Sequence, residues 1–210
     1  MYDFIADLDA YFCEKYANYD KLCILPGYKM PVMQASEVRA DGRTYAYTLP
    51  ASTMRLATQE KKAELLTELK NRITDTTFSF SFRPYGFFRK IKENFSKFAF
   101  YKSLKVVLQK YKLSEQEAGE LLNVSSEIWL GISKGKYAPT KNLIFSLALA
   151  AHLSMEDTQN LMLLCGYEFD YAIVKDVVVS YLLSQKVYNR SMIDAALAEY
   201  KVSNLFLKAE

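Results

Sequence analysis

The densest chemistry in this 210-residue chain lies between Arg83 and Lys112, where nine Lys or Arg stand against one acid. Residues 1–82 hold 10 basic against 11 acidic side chains and residues 113–210 hold 8 against 12, so the formal net charge of +3 conceals a +8 stretch between flanks of −1 and −4. Within it Arg89, Lys90, Lys92, Lys97, Lys102 and Lys105 alternate with Phe88, Ile91, Phe95, Phe98, Tyr101, Leu104, Leu108 and Tyr111, the apolar residues three or four apart. Basic charge interleaved with aromatic rings suits a nucleic-acid backbone, an acidic protein or an anionic membrane surface. The same spacing also describes an ordinary amphipathic helix with a buried aromatic stripe and solvated lysines. An anionic partner is sought here first.

Catalytic constellations are thin. The one histidine, His152, stands in the apolar run Leu143–Leu153, where a satisfied core or boundary histidine is the simpler reading than a general base. Asp3, Asp7 and Asp9 cannot share one helical face, and acids at a helix start are expected to be solvated there. Cys13, Cys23 and Cys165 are far apart, with no CxxC and no nearby histidine, which argues against disulfides and zinc and for small buried hydrophobes in a reducing compartment. Nothing supplies a nucleophile with a base and an orienter. The expectation is a non-enzyme with no cofactor and no metal.

These residues must be positioned by elements that the punctuation of the chain delimits. Half of the residues are apolar, enough for a real core, and the length is a prior for one large or two small domains, read here as two. The acidic opening is not a secretory signal, and the longest apolar run, about 11 residues, falls short of the roughly 20 that span a bilayer. A soluble cytoplasmic protein is expected, and membrane association is disfavoured.

Residues 2–17 place Phe4, Ile5, Leu8, Tyr11, Phe12 and Tyr16 at helical spacing. Segments 32–38 and 43–49 flank Ala40-Asp41-Gly42, a hairpin signal, with Tyr45, Tyr47 and Leu49 on one face. Pro50 and Ser52 or Thr53 open a second helix to about Ile73, with a Glu68–Arg72 pair four residues apart. Phe78, Phe80 and Phe82 then alternate as in a half-buried strand. Residues 1–85 thus form a small α+β domain (helix, β-hairpin, helix, strand) of unassigned role. Gly27, Gly42 and Gly86 stand alone, so neither a phosphate-binding loop nor a GxxG nucleic-acid loop is present. Residues 86–112 form the basic helical connector.

From Leu113 the caps follow quickly. Ser114 with Glu117 is a capping box, Ala118, Leu121 and Leu122 share a face, and Asn123 is placed for left-handed turn geometry. Val124 plugs the turn, Ser125 or Ser126 caps the next helix, and Gly135 ends it. After Pro139 and Thr140 comes a mostly buried helix. Ser154 caps another that Gly166 ends, and two more follow. The stretch from about 101 to 165, with Gly135-Lys136-Tyr137-Ala138-Pro139 as its exit, resembles the lambda-repressor-like helix-turn-helix family. The helical tail is similar to a module appended to some bacterial macro-domain proteins, which implies a connector shared between different N-terminal domains.

The first resemblance implies a mainly α fold: a repressor-like bundle over 113–210 with two extra helices. It also implies a recognition helix docked in the DNA major groove, often in a dimer. That helix departs from the pattern. The family typically offers Arg, Gln, Asn, Ser or Thr, whereas Ser125, Ser126 and Glu127 are the polar groups here, followed by Ile128, Trp129 and Leu130. No Arg, Lys, Asn or Gln is present to make a bidentate base contact of about 1–3 kcal/mol. Lys134, Lys136 and Lys141 are the local basic residues.

Two expectations follow. One is a bacterial or phage-derived regulator with weak or partner-assisted DNA binding through the basic helix. The alternative is a protein-interaction adapter, or a self-associating one, with Ile128, Trp129 and Leu130 as core or docking surface.

Overall fold

Six of the described helices begin where a side chain can satisfy a free amide. The computed structural model describes residues 3–18, 34–48, 59–78, 81–84, 90–203 and 205–208, with the backbone alone at Gln34, 59–63 and 90–98. The described residues are mainly helical, with nine helices and one two-stranded antiparallel sheet. In chain order these are α1 (Phe4–Lys15), β1 (Gln34–Val38), β2 (Thr44–Thr48), α2 (Gln59–Arg72), α3 (Lys90–Lys110), α4 (Glu115–Glu120), α5 (Ser126–Ser133), α6 (Lys141–Ala150), α7 (Met155–Leu164), α8 (Val174–Ser184) and α9 (Arg190–Glu199). Asp3, Ser114, Ser125, Thr140, Ser154 and Asn189 cap α1, α4, α5, α6, α7 and α9, each accepting from the amide three residues on. Such a bond contributes about 1 kcal/mol.

Six helices leave through one geometry. The residue two past each end is left-handed, and the next amide bonds back to the carbonyl five residues earlier, the Schellman pattern. Gly135 and Gly166 do this for α5 and α7, but Lys112, His152, Lys186 and Lys201 do it for α3, α6, α8 and α9, with φ between 47° and 56°. The return bonds are Leu113 N to Leu108 O, Leu153 N to Ala148 O, Val187 N to Leu182 O and Val202 N to Leu197 O, at 2.8–2.9 Å. His152 is therefore outside α6 and exposed, not inside the apolar helix. Asn123 is not left-handed either. Its amide donates to Phe206 O at 2.9 Å beside a Leu122–Leu207 bridge, so the C-terminal tail holds the turn and no special φ is needed.

The core is built around α6 and α8. Asn142–Leu149 is buried throughout, as a helix apolar on all sides must be, and α8 is buried from Lys175 to Leu183. One hydrophobic cluster joins these helices to Leu8, Phe12, Leu66 and Leu69 of α1 and α2. Phe12 lies 4.4 Å from the Tyr200 ring. Asp7 is exposed and Asp9 half-buried, and each also has a tertiary partner: Tyr181 and Tyr200 donate their hydroxyls to them at 2.7 Å. Lys70 bridges Asp9 at 2.8 Å and Glu199 at 2.6 Å. The Glu68–Arg72 pair stands at 3.6 Å.

The alternating phenylalanines do not make a strand among the described residues. Thr74–Phe78 and Ser81–Arg83 are irregular, and Pro84 alone bridges Tyr137. Phe78 and Phe82 pack instead on Phe206, at 5.3 and 5.5 Å, so the alternation buries rings on a side chain rather than on a sheet. Phe80 lies outside the described residues, as do Leu49, Pro50, Ser52 and Thr53. The hairpin pairs Val38 with Thr44 around Gly42, whose φ of 74° needs glycine, and Tyr45 and Tyr47 are exposed.

Candidate functional site

Helices α4 and α5 meet at a glycine. The Trp129 indole lies over Gly119 and donates from Nε1 to Glu115 O at 2.7 Å, so Trp129 is 6% exposed and spent inside the pair. A second close approach follows at Gly131, where Tyr137 lies over the backbone as the chain turns toward Ala138, whose amide donates to Arg83 O at 3.0 Å. These two glycines let bulky rings fill the space that side chains would occupy. Ser125 serves as the cap and Ser126 is the first helical residue.

What remains outward on α5 is Ser126, Glu127, Leu130 at 49% exposure and Lys134, with Ile128 half-buried. Ser125 and Lys136 are exposed beside them. This face offers two hydroxyls, one acid, two amines and an apolar side chain. It carries no amide or guanidinium to grip a base edge.

Two of the described basic candidates, Lys105 and Lys141, are held in ion pairs, as is Lys110. Lys105 lies 3.2 Å from Glu115 and 4.5 Å from the centre of the Tyr101 ring, and hydrogen bonds with both raise its pKa. Lys110 is 2.7 Å from Asp157, whose bond raises the ammonium pKa. Burial opposes ionisation of Asp157, but bonds from Lys110, Tyr111 and Ser154 outweigh it and lower its pKa. Lys141 is paired with the buried Asp176, whose own pKa burial raises. Lys102, Lys134 and Lys136 are exposed and have no acid partner among the described residues. Arg89 lies outside the described residues, as do the side chains of Lys90, Lys92 and Lys97.

One charged cluster escaped sequence reasoning. Lys175, 2% exposed, reaches Asp75 at 3.2 Å and Asn142 Oδ1 at 3.4 Å. Asp75 accepts four bonds, from the amides and hydroxyls of Thr77 and Ser203. Burial opposes its ionisation, yet these bonds prevail and hold its carboxyl far below the usual range. Burial pulls the Lys175 pKa down. A signal was present: Lys175-Asp176 interrupts an otherwise apolar segment, and Asp75 stands two residues before Thr77, the spacing of an Asx turn. The cluster ties the 73–78 segment to α6 and α8.

Cys13 is buried and Cys165 half-buried, with the Cys165 thiol pushed up by burial to about 12. Cys23 lies outside the described residues. Among the described residues no group of three or more His, Cys, Asp or Glu could hold a metal ion, and no helix is long and apolar enough to cross a membrane. No family model, no curated protein and no solved structure matches this chain.

Proposed function

We propose that this chain is a non-enzymatic regulatory adapter. In this reading, residues 101–165 adopt a repressor-like bundle extended by α8 and α9 and serve protein interaction rather than base reading. The carrying observation is the outward face of α5, where Glu127 and Leu130 stand at the positions a DNA reader needs for Arg, Asn or Gln, while Trp129 is committed to packing on Gly119. Glu127 faces outward with no cation partner among the described residues, and a carboxylate there repels phosphates. Glu115, at a position that often carries a phosphate-clamping Gln in the family, holds Lys105 instead.

Fluorescence anisotropy with mixed-sequence duplexes at low salt tests this. The expected result is no sequence preference; tight, sequence-selective binding lost on Glu127→Ala or Ser126→Ala overturns it.

A second reading has its own support. Lys102, Lys134 and Lys136 are exposed and lack acid partners, and together with α3 they could grip phosphates without reading bases. Three such contacts give a salt slope near −2.7 on a log–log plot, about −0.9 per phosphate. Charge reversal at Lys102, Lys134 and Lys136 that leaves weak binding unchanged rules this reading out.

A further inference from the structure

Away from α5 the bundle carries a groove of about 400 Å³ between the exposed side of α7 and the segment that follows Gly166. Its apolar wall is Leu163, 55% exposed, over the fully buried Met162. The opposite wall is a row of rings. Phe169 stacks on the core residue Phe145 at 5.3 Å and 19°, and Tyr171 follows Phe169 at 6.4 Å and 23°. Tyr167 is fixed by its hydroxyl bond to Pro139 O at 3.2 Å. Anchored this way, the rings are preorganised, which lowers the ordering cost of binding.

The tyrosine hydroxyls of the groove are engaged, Tyr167 with Pro139 O and Tyr171 with Tyr11 and Ser180, and its free polar groups are two amides and one carboxylate. Gln159 and Asn160 point two adjacent primary amides outward, and Glu168 is exposed; none of the three side chains has a partner among the described residues.

We infer that this groove docks a proline-rich peptide in the polyproline II conformation with a basic residue at its flank. Such a helix has no internal hydrogen bonds, so its carbonyls seek donors like the Gln159 and Asn160 amides. Its pyrrolidine rings pack on rows of aromatic side chains, and its fixed φ reduces the entropy lost on docking. Glu168 supplies the charge complement for an Arg or Lys beside the prolines. The same carboxylate, in a C-terminal half with four more acids than bases, repels a nucleotide or phosphopeptide. A saccharide could use amides and rings too, but a row of rings follows an extended peptide better than it follows one sugar face.

This inference rests on the adapter reading. The test is a heteronuclear NMR titration of the full chain with a synthetic decapeptide holding a Pro-x-x-Pro core and a terminal Arg. A Kd on the order of 10–100 µM is expected, with shifts confined to Gln159–Leu163 and Tyr167–Tyr171. Gln159→Ala with Asn160→Ala, both at exposed positions, weakens binding about tenfold. Glu168→Gln removes about fivefold of the preference for the Arg-flanked peptide over its Ala-flanked version. No shift at about 1 mM peptide, equal binding of a peptide with every proline replaced by alanine, or the same shifts produced by an oligosaccharide each overturns the proposal. Failure here with no sequence-selective DNA binding removes the groove's ligand alone, whereas sequence-selective DNA binding removes the adapter reading itself.

Discussion

A helical glycine replaced by alanine ordinarily stabilises a protein, by about 1 kcal/mol. At Gly119 the opposite sign is expected. A Cβ built there stands 2.4 Å from Trp129 Cδ1 and 2.7 Å from Nε1, well inside contact distance. The indole cannot swing away freely, because it is buried and its Nε1 donates to Glu115 O at 2.7 Å. Overpacking of this kind costs about 1–3 kcal/mol. If the ring moves and strands its buried donor, about 1–3 kcal/mol more is lost. With the ring displaced and the helical gain set against both costs, Gly119→Ala destabilises by about 1–5 kcal/mol. Trp129 is the sole tryptophan, so urea unfolding followed by its fluorescence reports both the stability and the displacement of the ring. A red shift in the native emission accompanies the loss. A cycle with Trp129→Phe, followed by circular dichroism, isolates the contact, since the smaller ring makes room for the added methyl group and part of the penalty is recovered. A variant as stable as the parent or more so, with unshifted emission, refutes the packing described here and with it the assignment of Trp129 to the interior.

The other expectations concern groups whose environments are equally specific. Hydrogen bonds from Thr77 and Ser203 hold the folded pKa of Asp75 below its unfolded value. Its stabilisation is therefore complete above the unfolded pKa near 4 and withdrawn as the pH falls toward the folded value. Asp75→Asn removes that part of the acid limb, which thermal melts between about pH 2 and pH 6 detect as a flatter profile. With Cys23→Ser in the background, burial of Cys13 and the raised pKa of the half-buried Cys165 leave the native protein unreactive to an aromatic disulfide at about pH 8; prompt release of thiolate contradicts this. Lys186 holds φ at 54°, a conformation that costs an L-residue about 1–2 kcal/mol. Lys186→Gly recovers about 0.5–1 kcal/mol after the added unfolded-state entropy, measured as a raised urea midpoint.

The local rules of the chain were legible because they act within a few residues. Ser114 with Glu117, Thr140, Ser154 and the Asp41-Gly42 turn need only their immediate neighbours, and the structure forms each of them. Gly135 and Gly166 announced their exits, but Lys112, His152, Lys186 and Lys201 did not, since a lysine at a helix end usually reads as a dipole partner. The recurring Leu or Val after each of them was the available signal, being the hydrophobic residue that follows a left-handed exit. Tertiary choices were hidden. The phenylalanines at 78 and 82 found Phe206, more than 120 residues away, and no period-two pattern distinguishes a ring partner from a sheet partner. Asp7 is exposed as a solvated acid should be, but the tyrosines that bind Asp7 and Asp9 lie in α8 and just beyond α9, out of reach of a local reading.

The same distinction governs the candidate site. Residue types alone marked the α5 surface as poor in base-reading groups, and that inference needed no coordinates. The fate of the lysines did need them. Lys105 and Lys110 belong to the basic stretch and Lys141 to the local basic residues of the next part, yet each meets a carboxylate from another element, Glu115, Asp157 or Asp176. Charge counted along the chain overstates the field a partner meets, because neutralisation is a property of packing. An acidic half folded against a basic helix spends part of both charges internally. What remains exposed among the described residues is a mix of polar and apolar side chains together with Lys102, Lys134 and Lys136, which no carboxylate neutralises there.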